Sequence, residues 1–288
     1  MEQKKSVLEI LFLTSRPRYW VYLLGAYSIG ILTGISNTTI WNNTSTLFIF
    51  TFAVYFLFPA NLLVYGINDL YDTDTDSLNP KKEQYETTIK SEDRDILMKV
   101  IFIVTCFFFC VSLFSPRSAL SVFIIFIYTS VFYAAWPIRA KVRPFLDTII
   151  SALIYMTPAL IGYYLVGGTH ISIFVLLIGF IWAIAMHMQR AVVDIGADTE
   201  ARIQTIATVL GRKKTHLVCL FLYGSIAVLS YITIGILGPI VTLPYIFLLF
   251  FSYRMKTYEK QFAVYTYIPR VTALVLLCIT VFLALKNF

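Results

Sequence analysis

Two acidic clusters carry most of the chemistry available to this chain. "NDLYDTDTD", Asn68 to Asp76, closes one long apolar run, and "DIGAD", Asp194 to Asp198, closes another. Each holds a D-x-x-x-D pair, and Asp72 and Asp76 recur as Asp194 and Asp198 after an offset of 122 residues. On continuous helices, at about 100° per residue, Asn68, Asp72 and Asp76 share one side with Asp69 next to them, while Asp74 points away. His187, Arg190, Asp194 and Asp198 form a second polar stripe by the same rule. Two carboxylate pairs facing each other make a set of oxygen ligands.

Oxygen-only ligands suit a hard divalent cation such as Mg²⁺, which dehydrates reluctantly and bridges one or two carboxylates to substrate phosphates. Zinc spacing is absent, since His170, His187 and His216 are scattered along the chain. Cations for a phosphate pocket are at hand. "WPIRAKVRPFLD" sets Arg139, Lys141 and Arg143 at alternate positions, and "NPKKE" sets Lys81 and Lys82 just after the first cluster. Charge-assisted contacts of this kind hold diphosphates. Without a Walker A or G-x-G-x-x-G sequence a nucleotide substrate lacks support. A prenyl diphosphate matches instead, with an apolar tail for the bilayer and an anionic head for metal and basic residues. The plainer reading takes the aspartates as solvated interface charges and Arg190 with Asp194 as a simple i,i+4 ion pair. Against it stands the cost of a carboxylate in a span, up to about 2.5–3.5 kcal/mol at the bilayer centre, and the mutual repulsion of like charges on one face.

The elements that must position these residues are transmembrane helices. Of 288 residues, 58% are hydrophobic and only 14% charged, a membrane composition. Nine apolar runs can each cross a hydrocarbon layer about 30 Å thick: roughly 19–36, 46–67, 96–114, 118–136, 145–166, 171–193, 215–235, 238–252 and 265–285. The segment before the first reads as an interfacial lead-in helix, not a cleaved leader. Alternate connections carry 19 of the 23 Lys and Arg, and the intervening ones hold only Arg117. The positive-inside rule therefore puts the N-terminus and both acidic clusters on the cytosolic face. The net charge of +7 follows from topology and attraction to anionic lipid, and calls for no nucleic acid. Two sequons, at Asn37 and Asn43, fall in an external loop. Cys106, Cys110, Cys219 and Cys278 lie inside spans and read as buried small hydrophobes.

In these motifs the chain resembles the UbiA family of intramembrane prenyltransferases, over nearly its whole length. "NDLYDTDTD" is similar to that family's N-D-x-x-D-x-x-x-D motif and "DIGAD" to its D-x-x-x-D motif. The resemblance implies a single all-α domain over 1–288, two pseudo-repeated four-helix parts plus a ninth helix, enclosing a central cavity open to the cytosolic side. It also implies Mg²⁺ between the motifs and a prenyl diphosphate donor with a lipophilic acceptor. Four stretches, "SRPRYWVYLLG", "NDLYDTDTDSLNPKKE", "WPIRAKVRPFLD" and "DIGADTEARIQTIATVLG", resemble the carotenoid-elongating branch that acts on lycopene. Two positions depart from that branch: Gly196 stands where an acidic residue is expected, and Arg202 where a glycine is expected.

On this resemblance, Asn68, Asp72, Asp76, Asp194 and Asp198 hold Mg²⁺ in the membrane of the cell. Arg16, Lys81, Lys82, Arg139, Lys141 and Arg143 bind the diphosphate. Tyr133, with Tyr128, Tyr155 and Trp136, is a candidate to shield an allylic cation. No base for proton loss is assigned, Asp147 being a weak candidate. Three alternatives stay open: a UbiA-type enzyme with a quinone-precursor or glycerol-phosphate acceptor, an ion-coupled secondary transporter, and an inactive scaffold.

Overall fold

A chain that must satisfy every backbone N–H and C=O without water in a bilayer folds as helices. In the computed structural model the described residues are 6–35, 43–72 and 89–255, with Tyr267, Arg270, Val271 and Leu274 beyond them. Among these residues ten α-helices follow one another with no strand: α1 Val7–Thr14, α2 Trp20–Ile35, α3 Asn43–Leu57, α4 Pro59–Tyr71, α5 Arg94–Ser112, α6 Arg117–Ala134, α7 Leu146–Leu165, α8 Ile173–Glu200, α9 Ile206–Ile234 and α10 Leu237–Arg254. Seven helical stretches among the described residues are long and apolar enough to cross a membrane, with α3 and α4 together forming the first, Thr46–Tyr71. α2, at 16 residues, is shorter, and the ninth expected run, 265–285, lies outside the described residues except for those four positions.

The chain divides into two compact units. The first takes in Met1–Arg139 and Thr157–Gly168, the second Ala140–Met156 and Thr169–Thr272. In the first unit α4 packs against α1, α3, α5 and α6. Every residue of α4 from Ala60 to Ile67 is buried, which makes the helix bearing the first acidic motif the best covered in its unit. Its neighbours supply a ring cluster. Phe52 meets Phe123 edge-on at 5.2 Å, and Tyr55 lies 4.7 Å from Phe108. Such pairs contribute about 0.5–1.5 kcal/mol each beyond burial. Elsewhere in this unit the contact is made by small residues. A Cβ on Gly30 would run into the backbone of Ala159, and one on Gly162 into the carbonyl of Tyr27, so α2 and the second half of α7 meet backbone to backbone. Within a membrane this close packing, not water exclusion, drives helix association.

In the second unit α9 lies between α8 and α10. Ala185, Met188, Cys219, Tyr223, Tyr245 and Leu249 form its core, and the buried Tyr223 hydroxyl donates to Gln189 Oε1 at 2.9 Å. Outward faces of both units carry exposed Phe102, Phe107, Phe114, Phe221, Phe247 and Phe250, as lipid contact requires.

Several expectations need correction. The run 46–67 is two helices, interrupted at Phe58 (φ −124°, ψ −61°), where Pro59 starts α4, because proline suits the first helical position and cannot continue an earlier helix. α8 extends to Glu200, past the expected end near 193, and α9 begins at Ile206. Gly211, at φ 73°, breaks α9 one turn after its start. Cys219 is buried as expected, but Cys106 and Cys110 are exposed on the outer side of α5, where a small apolar residue suits lipid as well as a core; Cys278 lies outside the described residues.

Candidate active site

The first acidic motif sits at the end of α4. Asn68 is half-buried, Asp69 is 1% exposed and Asp72 8%. The helix stops at Tyr71 and Asp72 is its C-cap (φ −105°, ψ 6°), so the single-face reading runs from Asn68 to Asp72. Asp74, Asp76, Lys81 and Lys82 lie outside the described residues. A helix C-terminus carries about half a negative charge, and here acidic side chains add to it. Three arginines from separate segments meet that charge. Arg16 Nη2 reaches Asp69 Oδ1 at 2.6 Å, and its guanidinium lies over the Tyr65 ring, 4.8 Å from the centroid. Arg94 Nη2 donates to the Leu70 carbonyl at 2.6 Å, and Arg139 Nη2 to that of Tyr71 at a long 3.5 Å. The last two bonds satisfy carbonyls that the helix leaves without an internal partner.

Two of these arginines have unusual backbones. Arg16 sits at φ 52° and Arg139 at φ 44°, a left-handed conformation that costs about 1–3 kcal/mol for a residue with a side chain. For Arg16 the constraint is sharper, since Pro17 follows and pre-proline residues favour extended backbone.

The second motif is arranged differently. Asp194 and Asp198 both lie within α8, one turn apart and half-buried, as are His187 and Arg190 on the same stripe. α8 ends in a Schellman motif. Ile203 N–H donates to the Asp198 carbonyl at 2.7 Å and Arg202 N–H to that of Thr199 at 3.1 Å, with Arg202 at φ 56° in the position that glycine usually takes. This explains why a glycine is expected there. Thr205, the N-cap of α9, donates from Oγ1 to Asp198 Oδ2 at 3.4 Å and forms a capping box with Thr208. Asp147, 1% exposed at the start of α7, accepts from Ile206 N at 3.0 Å, Thr148 N at 2.8 Å and Thr148 Oγ1 at 3.1 Å. His187 Nε2 lies 3.6 Å from its Oδ2.

Of the remaining expected residues, Lys141 is buried in a short 3-10 turn, Ala140–Val142, and Arg143 is exposed. Tyr133 and Tyr155 are half-buried, whereas Tyr128 and Trp136 are 49% and 64% exposed. Asp69, Arg94 and Thr205 are the residues that sequence reading passed over. The first showed in the helical wheel, and the others gave no signal that topology or capping alone would not give.

Each motif by itself offers hard oxygen side chains, Asn68 and Asp72 at the end of α4 and Asp194 and Asp198 on α8, a ligand type that suits Mg²⁺. Among the described residues no three His, Cys, Asp or Glu side chains form a closed metal cage, and Mg²⁺ does not ask for one, as water and phosphate complete its shell.

Residues 19–268 match the model of the UbiA prenyltransferase family. The lycopene elongase/hydratase of Halobacterium salinarum is 36% identical over 209 residues, 73% of this chain and 74% of that protein. The lycopene elongase/hydratase of Corynebacterium glutamicum is 32% identical over 233 residues, 77% of this chain and 76% of its own. In fold, the chain is similar to a UbiA homologue from Archaeoglobus fulgidus bound to DMAPP and Mg²⁺, with TM-score 0.67 and 17% identity over 93% of this chain and 99% of that one. A digeranylgeranylglyceryl phosphate synthase gives TM-score 0.67 at 16% identity, over 97% and 98%. With its apolar helices and this match over most of its length, the chain is an integral membrane protein that belongs to the UbiA prenyltransferase family, and it is a prenyltransferase.

Proposed function

We propose that the protein transfers a dimethylallyl group from its diphosphate to lycopene or a related carotenoid, in a Mg²⁺-dependent reaction at the cytosolic side of the cell membrane. The observation that carries this reading is the pair of intact acidic motifs in a chain at least 30% identical, over most of its length, to lycopene elongase/hydratases. Orientation rests on the basic residues of the alternate connections.

Asn68, Asp72, Asp76, Asp194 and Asp198 would hold Mg²⁺, which when bound would supply positive charge to offset the leaving diphosphate. Lys81, Lys82, Lys141 and Arg143 bind the diphosphate oxygens, joined by Arg16 and Arg139 from the end of α4. Fixed cations aimed at a developing charge are effective because they need no reorganisation when the bond breaks. The allylic C–O bond breaks with its electron pair going to the diphosphate, and a double bond of the acceptor supplies the pair for the new C–C bond. The resulting cation then loses a proton or takes up water. Tyr133 offers a ring face to the cationic carbon. The spans carry few ionisable groups outside the motifs, which suits a hydrocarbon acceptor; a polar one needs buried partners.

Expression in cells that make lycopene, with mass analysis of the pigments, tests this. Carotenoids longer by one or two five-carbon units support it. Unchanged lycopene, together with prenylation of 4-hydroxybenzoate or geranylgeranylglyceryl phosphate by the purified protein, would replace the acceptor while keeping the prenyltransferase.

A further inference from the structure

We infer that Thr205 is a positioning residue for the second acidic motif, orienting the Asp198 carboxylate toward metal and diphosphate, and that Asp147 fixes where Thr205 stands. The inference rests on the reading of Asp198 as a ligand of Mg²⁺. Thr205 has one hydroxyl proton, and the bonds around it account for that proton. Thr208 N–H donates to Thr205 Oγ1 at 3.3 Å, so the oxygen serves as the helix cap, and its proton is directed to Asp198 Oδ2 at 3.4 Å. Thr208 Oγ1 in turn accepts from Thr205 N–H at 2.8 Å. The cap and the carboxylate are therefore held by the same atom. Asp198 is half-buried near the helix end, where a carboxylate has more than one rotamer open to it, and a hydroxyl bond to one oxygen selects among them.

Thr205 itself is anchored through the next residue. Ile206 is 2% exposed and its N–H, an orphan donor at the first position of α9, is met by Asp147 Oδ2 from 59 residues away. Asp147 is held by Thr148 on its other oxygen. It thereby joins the starts of α7 and α9, with His187 of α8 at 3.6 Å. The three donors around Asp147 mark it as a tie between helices and not as a proton acceptor in the reaction.

Three substitutions in the full-length purified protein separate capping from positioning. Thr205→Ser keeps the hydroxyl. Thr205→Gly keeps most of the cap but has no hydroxyl to donate to Asp198. Thr205→Val loses both. The readouts are melting temperature and a calorimetric Mg²⁺ titration in the presence of dimethylallyl S-thiolodiphosphate, with turnover measured alongside. Thr205→Ser is expected to match the parent. Thr205→Gly is expected to melt within about 2 °C of it yet to bind Mg²⁺ about tenfold more weakly, with kcat falling and the KM for lycopene unchanged. Thr205→Val should lose both stability and Mg²⁺ affinity. Parent-like Mg²⁺ affinity in Thr205→Gly overturns the inference and leaves Thr205 as a helix cap. Asp198→Asn distinguishes the two readings: if it also binds Mg²⁺ normally, the metal role of Asp198 fails first.

Discussion

The two acidic motifs share a spacing and differ in how they are supported. At the end of α4 the helix stops within the motif, and long-range cations compensate the accumulated negative charge: Arg16 from 53 residues away, Arg94 from 24 and Arg139 from 68. At the end of α8 the helix runs through the motif, and hydrogen bonds shape its end: a Schellman motif and a threonine seven residues on are local, and one buried carboxylate behind them, Asp147, reaches Ile206 from 59 residues away. The pattern D-x-x-x-D thus specifies which side chains are presented, not what holds them. Charge gathered at a buried helix end is met here by arginines, whereas the hydrogen bonds at the end of α8 shape the helix terminus and reach one carboxylate of its motif.

Breaking the ion pair of the first region should have the largest structural effect. Asp69→Ala leaves Arg16 without its carboxylate partner, a change that typically costs about 3–5 kcal/mol; the lower end is expected because Arg16 retains 12% exposure. Thermal unfolding in detergent checks this. A loss under 1 kcal/mol would mean that the pair is screened and that the motif is held by other contacts. Next, Asp147→Ala in the second region leaves the Ile206 and Thr148 donors unmet and should cost about 1–3 kcal/mol, measured in the same way. Equal costs at Asp69 and Asp147 would erase the contrast between the two regions.

An effect of about the same size follows from Arg94. Replacing it by alanine removes a charge-assisted bond to the Leu70 carbonyl, for about 1.5–3 kcal/mol at most, and Arg94→Lys should recover part of it, since an ammonium can reach one carbonyl but lacks the planar fork. Full recovery would show that charge alone caps α4. The smallest effect is a gain. Arg202→Gly relieves a left-handed backbone at the C′ position of α8 and should stabilise the protein by about 0.5–1 kcal/mol, while turnover stays at the parent level. A loss of activity in that variant would assign the exposed guanidinium a part in binding.

Much of this arrangement could be read from the sequence, and the reasons for the exceptions are physical. Apolar runs of about 20 residues made the membrane-crossing helices legible. That Arg202 stands at a glycine position was legible from the resemblance, but the left-handed backbone that a glycine serves there was not. The break at Gly211 was hidden because "GRKKTH" reads as an ordinary basic connection, and the start of α9 at Ile206 is set by Thr205 and by a distant Asp147. Arg16, Arg94 and Arg139 all sit where positive-inside topology places arginine in any case. Their separate role at the end of α4 is a property of contacts 24 to 68 residues apart, which no local pattern encodes.

The central claim is that both motifs serve one prenyl transfer to a carotenoid. The most direct measurement is product mass from purified protein in liposomes, given lycopene, dimethylallyl diphosphate and Mg²⁺, for the parent, Asp72→Asn and Asp198→Asn in parallel. The account predicts lycopene extended by one or two five-carbon units with the parent, and at least a hundredfold less product with each variant, although both insert and purify normally. Parent-level product from either variant, or parent-level product after chelation of all divalent cations, would contradict it.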